Sequence, residues 1–371
     1  MMTGGLTKII GYTKNATVLL LTVALLLLWG DCGGLLPVSA EDSDPTAMLL
    51  EGLVACRETV SLAGASLPVS ELGGLYLSLL HDRPELFHVA PRLSYGYTET
   101  VVNGTPCRTV TEVYPVYTLT GRELAVARVF YRDTLAGILT EMELTFGEQP
   151  RTEADTVLYL HDCLADRYAY DTRAENPNAD AYTFLRDGRG ICQAYALTFL
   201  ALCRGAGLEA DLVVSDAMNH AWNHVRVEGV WYHVDVTRDD PIPAAEGRDE
   251  VNHTRLLRSD EGMARLGYHG YTCTAGHTCI DTRYETVAGG SGWGGFSQKL
   301  LFSEGKWMGM DKSGGPVAIK LQKTGVIFGQ VGDVDLNGVA DPADLLAIYD
   351  PVFPEAWRRW MRDALTQKTG T

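Results

Sequence analysis

His220-Ala221-Trp222-Asn223-His224-Val225-Arg226-Val227-Glu228-Gly229-Val230-Trp231-Tyr232-His233-Val234-Asp235-Val236-Thr237 is the stretch that decides the fold. Alternating runs flank Glu228-Gly229, which predicts two antiparallel strands joined by a two-residue turn. With that turn Val227 faces Val230, His224 faces His233 and Trp222 faces Asp235. His220 and Asp235 then lie diagonally on one sheet face, about 7–8 Å apart at the backbone, near enough for imidazole and carboxylate to meet. His224 is diagonal to Asp235 as well, so spacing alone leaves two candidate histidines, and a one-residue slip would change every pairing.

Upstream, Gly188-Arg189-Gly190-Ile191-Cys192-Gln193-Ala194-Tyr195-Ala196 passes from a glycine-rich turn into an apolar run ending near Gly205. Cys192, Ala196, Phe199, Leu200 and Cys203 share one helical stripe, which predicts a helix with that face buried and Cys192 in its first turn. The unpaired N–H groups of a helix start favour thiolate over thiol and can face an oxyanion. The Cys192 N–H is the first such donor; the sequence identifies no second. A thiol, a basic imidazole and an orienting carboxylate are the parts of nucleophilic acyl transfer.

In this order and spacing, the Cys192 segment, His220-Ala221-Trp222-Asn223 and Gly229-Val230-Trp231-Tyr232-His233-Val234-Asp235-Val236-Thr237 resemble the transglutaminase-like superfamily, more narrowly its exported bacterial members. The resemblance runs from about Thr152 to Tyr284 and takes in His161-Asp162-Cys163-Leu164, Tyr170-Asp171, His253 and the Leu257 to Gly262 segment. It implies an α+β fold with a papain-like/transglutaminase-like core, a Cys-bearing helix packed on an antiparallel sheet. It also implies roles: Cys192 as nucleophile, His220 as acid/base and Asp235 as orienting carboxylate. The implied reaction attacks amide bonds of proteins or peptides through a thioester, as a peptidase, amidase or acyl transferase, with no cofactor needed for catalysis. Two positions depart from the family pattern. Ala194 stands where glycine is usual, and Arg238 where a tryptophan commonly follows Asp-x-Thr, which bears on substrate preference.

Around this centre the chain divides into residues 1–40, 41–150, 151–328 and 329–371. The 41–150 extension mixes α and β signals. Helices are expected over Ala47–Val60, around Leu75–Leu80 and over Arg122–Phe146, with a break at Pro84 and a strand over Arg108–Tyr117. A further helix is expected over Thr152–Tyr168, and closing strands between Tyr284 and Gly329. In 329–371, Asp333, Asp335, Asn337, Asp341 and Asp344 fall at oxygen-ligand positions of a calcium loop, with Val339 offering its carbonyl and Gly338 the sharp turn. Aspartate at the last position and the Leu345-Leu346-Ala347-Ile348 run resemble a single dockerin repeat, which implies structural Ca2+ and a cohesin-type scaffold as partner. Trp357, Trp360, Met361, Ala364 and Leu365 then form an amphipathic stripe suited to packing on the preceding helix. A catalytically inactive binding module attached to such an assembly is the alternative to an enzyme.

The 371 residues carry a formal net charge of −16, which disfavours unspecific binding to nucleic acid or an anionic membrane. Lys8 and Lys14, the apolar run Ala16–Trp29 and Val38-Ser39-Ala40 before Glu41 describe a secretory signal cleaved after Ala40. A secreted or cell-surface protein is expected, without stable membrane insertion after cleavage. Eight cysteines occur, and losing Cys32 with the signal leaves an odd number, so at least one thiol stays unpaired within the chain; Cys192 is the choice. Cys273 and Cys279 could close a small loop. With His269 and His277 they could also be read as a zinc cluster, though without paired C-x-x-C knuckles.

Overall fold

The structure is a computed structural model that describes residues 43–102, 105–173, 175–240, 251–273, 275–285, 300–303, 306–310, 316–322 and 325–328. The first helix, α1 (Pro45–Val54), starts where Asp44 accepts the Thr46 and Ala47 N–H groups at 2.9 and 3.3 Å. The helix expected over Ala47–Val60 ends early, at Val54. Cys56 turns the chain with φ 53°, and Val60 enters strand β1 (Val60–Ser61) opposite Val113. Val60 lies so close to α1 that a Cβ on Gly52 would sit 2.3 Å from its Cγ2, so the apolar residue read as a last helical turn is instead packed on the helix's flank. Helix α2 (Val69–Asp82) stops at the residue pair Arg83-Pro84, as proline requires. Strands β2 (Val89–Val102) and β3 (Thr105–Tyr117) form a long hairpin, and the sheet order is β1-β3-β2. Leu49, Leu53, Leu72, Tyr76, Val110 and Val113 close the core of this region.

Helix α3 (Gly121–Phe146) buries one stripe, Leu124, Ala127, Tyr131, Leu135, Ile138, Met142 and Phe146, at the three-and-four spacing of a half-exposed helix. That stripe belongs to a second core, shared with α4 (Glu153–Arg167), whose start is fixed by a reciprocal Thr152–Asp155 capping box. Strand β4 (Ala169–Tyr170), helix α5 (Ala181–Asp187) and strand β5 (Arg189–Gly190) follow, with β4 and β5 parallel. Helix α6 (Cys192–Gly205) differs from expectation. One buried stripe was predicted, yet every residue from Gln193 to Cys203 is buried. Helices α3, α4 and α5 and the following sheet touch it on all sides, making α6 the central helix.

That sheet is antiparallel, in the order β8-β7-β6-β9, from β6 (Ala210–Ser215), β7 (His220–Val227), β8 (Val230–Val234) and β9 (Thr272–Cys273). Two short helices, α7 (Val236–Asp239) and α8 (Asp260–Arg265), precede β9. The register is the one the alternation predicts, with Val227 opposite Val230 and His224 opposite His233. Glu228 and Gly229 have φ 51° and 82°, both left-handed, as a tight hairpin turn of the mirror-image kind requires. The fold is therefore a mixture of helix and sheet, the Cys192 helix lying on an antiparallel sheet.

A third antiparallel sheet, β10 (Leu301–Ser303), β11 (Lys306–Met310), β12 (Pro316–Gln322) and β13 (Gly325–Phe328), closes the core. Phe302 and Trp307 pack edge-on against Phe146, and the Trp307 Nε1–H donates to Asp155 at 2.7 Å. The expected signal at 1–40, the loop from Asp333 to Asp344 and the stripe from Trp357 to Leu365 lie outside the described residues. No described helix is long and apolar enough to cross a membrane.

Candidate active site

The approach to Cys192 is held by backbone geometry. Gly188 closes α5 at φ 73°. Two residues on, only glycine fits: a Cβ on Gly190 would lie 2.6 Å from Ala194 Cβ and from Phe184 Cδ2. The Asn178 carbonyl accepts the Ile191 N–H at 2.9 Å, while its side-chain amide donates to the Arg189 carbonyl and to Asp187, each at 3.0 Å. Ile191 occupies the N-cap with φ −85° and ψ 174°, and its hydrocarbon side chain caps nothing. The first-turn N–H groups at Cys192, Gln193 and Ala194 thus lack the side-chain acceptor that most helix starts possess. This leaves the positive end of α6 open beside a half-buried thiol. Gln193 is fully buried, and among the described residues neither atom of its amide has a partner.

His220 opens β7 opposite Ser215, and Asp235 sits one residue past β8 as the N-cap of α7. His220 Nε2 meets Asp235 Oδ2 at 2.6 Å, while Asp235 Oδ1 accepts the Arg238 N–H at 3.1 Å. The Cys192 thiol acts on the same imidazole and, after Asp235, favours its charged form. The Thr237 hydroxyl lies 3.5 Å from the Cys192 carbonyl, joining α7 to the start of α6. The three residues singled out from the sequence therefore come together, His220 bonded to Asp235 and influenced by the Cys192 thiol.

Burial alone would discharge His220. The Asp235 carboxylate, then the bond to Cys192, overcome that and raise its pKa to about 9. Burial likewise opposes ionisation of Asp235, but His220, Tyr268 and the Arg238 N–H hold it below the usual carboxylate value. His224, the other candidate, turns away from this pair. Its Nε2 lies 3.1 Å from His233 Nδ1, and burial followed by the neighbouring His233 lowers its pKa to about 3, so it is a neutral ring.

Several further side chains serve this arrangement, to none of which the sequence alone gives a role. Tyr268 donates its hydroxyl to Asp235 Oδ2 from 33 residues downstream, out of a loop without periodicity. Trp222 stacks on His220 at 5.6 Å and meets Tyr268 edge-on at 5.0 Å. The Trp222 Nε1–H donates to His233 Nδ1 at 2.9 Å, which places the His233 proton on Nε2, facing Asp260 at 2.9 Å. Asn223 donates to the Ala196 carbonyl at 2.9 Å and so ties β7 to α6. Tyr195 bonds Asp240, tying α6 to the end of α7.

Among the described residues, three groups bring metal-ligand types together: His224, His233, Asp260 and Cys279; His161, Asp162 and His253; Asp211, Cys273 and His277. The four residues read as a zinc cluster are thereby divided. Cys279 joins the first group, Cys273 and His277 the third, and His269 Nδ1 bonds the Gly267 carbonyl. Hydrogen bonds already explain these groups. Both His233 nitrogens are engaged, His161 Nδ1 and His253 Nε2 share Asp162 Oδ1 at 2.9 and 2.7 Å, and His277 Nε2 meets Asp211 at 2.7 Å. For His233 to bind a metal through Nε2, Nδ1 would have to carry the proton and would oppose the Trp222 N–H.

No curated protein matches the chain. Among solved structures, a transglutaminase crystal structure is 16% identical, over 52% of this chain and 58% of its own, with TM-score 0.28. A candidate cysteine protease from Cytophaga hutchinsonii is 19% identical over 40% of this chain and 63% of its own, with TM-score 0.24. A candidate protease from Parabacteroides distasonis is 12% identical over 38% and 35%, with TM-score 0.22. The chain thus spans less than two thirds of each of these proteins. The sequence profile of the Transglutaminase-like superfamily matches residues 141–236, the segment that holds α4, the Cys192 helix, His220 and Asp235, and this part of the chain is similar to that superfamily.

Proposed function

We propose that the protein is an exported cysteine enzyme that acts on amide bonds of proteins or peptides, with Cys192 as nucleophile, His220 as acid/base and Asp235 as the carboxylate that orients it. The observation that carries this reading is the 2.6 Å bond between His220 Nε2 and Asp235 Oδ2, with the Cys192 thiol near enough to act on the same ring. An imidazole oriented by that carboxylate and favoured in its charged form stabilises a thiolate next to it. The thiolate attacks the amide carbon, the C–N bond breaks, and the proton on His220 Nδ1 passes to the leaving amine. Water or a second amine, losing its proton to His220, then displaces the thioester and frees Cys192. Open N–H groups at the start of α6 are suited to the oxyanion of each tetrahedral intermediate. In this reading the protein also binds structural Ca2+ at Asp333, Asp335, Asn337, Val339, Asp341 and Asp344, and a cohesin-type scaffold is its partner.

The test compares native protein with Cys192→Ala on glutamine-containing peptides, following ammonia release and intact mass. Native protein should gain the mass of the acyl group on Cys192. The variant should fold and release no ammonia; equal turnover by both would end the proposal.

A further inference from the structure

Arg238 is exposed, whereas every carboxylate of the same segment is turned inward and matched. Asp235 holds His220 and Tyr268. Asp239 accepts the Arg255 N–H at 2.8 Å and its guanidinium at 3.2 Å, and Asp240 accepts from Tyr195. Among the described residues no carboxylate pairs with the Arg238 guanidinium. The group is nonetheless held in place. Its Cζ lies 4.7 Å from the centre of the Tyr268 ring, the backbone N–H is fixed on Asp235, and its carbonyl takes the Arg255 Nη1–H at 2.9 Å. Tyr268 is the ring whose hydroxyl touches Asp235 and whose centre lies 6.1 Å from that of His220. One aromatic side chain therefore separates a guanidinium without a carboxylate partner among the described residues from the His220–Asp235 pair. The neighbouring residue, Thr237, reaches the Cys192 carbonyl.

We infer that Arg238 forms an anion subsite at the rim of the Cys192 centre, which takes a carboxylate carried by the acyl donor close to the attacked amide. A guanidinium laid on an aromatic face keeps its edge N–H groups free, and that edge matches the two oxygens of a carboxylate. On a chain of net charge −16, a preorganised cation also offsets the general repulsion that an acidic substrate meets. The inference rests on the proposed role of Cys192, so its test needs a readout that does not depend on turnover.

Cys192 is alkylated with iodoacetate, which is anionic, and with iodoacetamide, its neutral counterpart, and labelling is followed by mass spectrometry of the Cys192 peptide. The ratio of the two rate constants should fall about three- to tenfold in Arg238→Met, recover largely in Arg238→Lys, and shrink with salt in the native protein. The charged His220 contributes to the native ratio, so the change on substitution is what counts. Labelling by both reagents with the same ratio in Arg238→Met overturns the subsite. If neither reagent labels Cys192 faster than the other half-buried thiols, the enzyme reading fails, and the subsite with it. Glutamine peptides with Glu or Gln beside the target, and with a free or amidated C-terminus, then identify the carboxylate. The pair whose acidic preference disappears in Arg238→Met names the source, and a native protein blind to both pairs rejects the assignment.

Discussion

Tyr268 and His220 bond the same oxygen, Oδ2 of Asp235, the imidazole at 2.6 Å. Asp235 is 1% exposed, so each donor counts toward keeping it ionised. In Tyr268→Phe the ring and its contacts with Trp222 and Arg238 remain, but one donor is lost. A hydrogen bond to a charged group contributes about 1.5–3 kcal/mol, or about one to two pKa units. The Asp235 pKa should rise by about that much, and the acid limb of Cys192 alkylation should move upward with it. A uniform loss of rate at every pH, with the limb in place, would mean that Tyr268 only supports packing.

The charge of His220 makes a second prediction, with a definite sign. Its pKa is raised from the ordinary 6.5 to about 9, so the stability it contributes is complete below about 6.5 and is lost as pH rises through about 9. Asp235 is shifted the other way, and its contribution is present above the ordinary carboxylate range and lost as pH falls through its lowered value. In Asp235→Asn the charge that opposes desolvation disappears, and burial returns His220 to its ordinary pKa or below. The alkaline limb of Cys192 alkylation should drop by about two units or more. Urea midpoints at pH 6 and pH 9 should differ in the native protein and differ less in the variant, where His161, also raised to about 9, still contributes; parallel changes in both would refute the coupling.

The hairpin was legible because two strands that alternate about Glu228-Gly229 admit one register, and that register puts His220 and Asp235 on one face. The position of Cys192 at a helix start was legible for a similar reason: glycines precede an unbroken apolar run. What escaped the pattern depends on long-range contact. Nothing near Tyr268 signals Asp235, and nothing in the Asn223 side chain names the Ala196 carbonyl as its acceptor. The all-round burial of α6 escaped for a different reason. A stripe identifies the most apolar face, but Gln193 and Thr198 dilute the rest although they are 0% exposed. Val60 fitted a helical period and went to a strand, since its partner, Val113, is set by the sheet.

Calcium is predicted from the spacing of Asp333, Asp335, Asn337, Asp341 and Asp344. A full set of hard oxygens binds the ion, and each carboxylate also relieves the repulsion it would otherwise feel from its neighbours once the ion is present. Asp333→Ala removes the first ligand and should weaken calcium affinity at least tenfold by calorimetric titration. Superimposable isotherms for native and variant protein would remove the loop assignment.

Asn223 fixes the distance between the two halves of the site, since its side-chain amide leaves the strand of His220 and ends on the helix of Cys192, 2.9 Å from the Ala196 carbonyl. It is 1% exposed, so Asn223→Ala leaves a small buried gap and removes a bond that no water replaces cheaply. The expected loss is about 1–3 kcal/mol, seen as a lower urea midpoint at an unchanged slope. Because β7 and α6 are then free to separate, the thiol–imidazole contact should loosen as well. Cys192 alkylation at neutral pH should slow severalfold in protein that is still folded. A variant with the native urea midpoint would show that packing alone holds strand to helix. A lower midpoint with native alkylation would show that the bond stabilises the fold without setting the distance between Cys192 and His220.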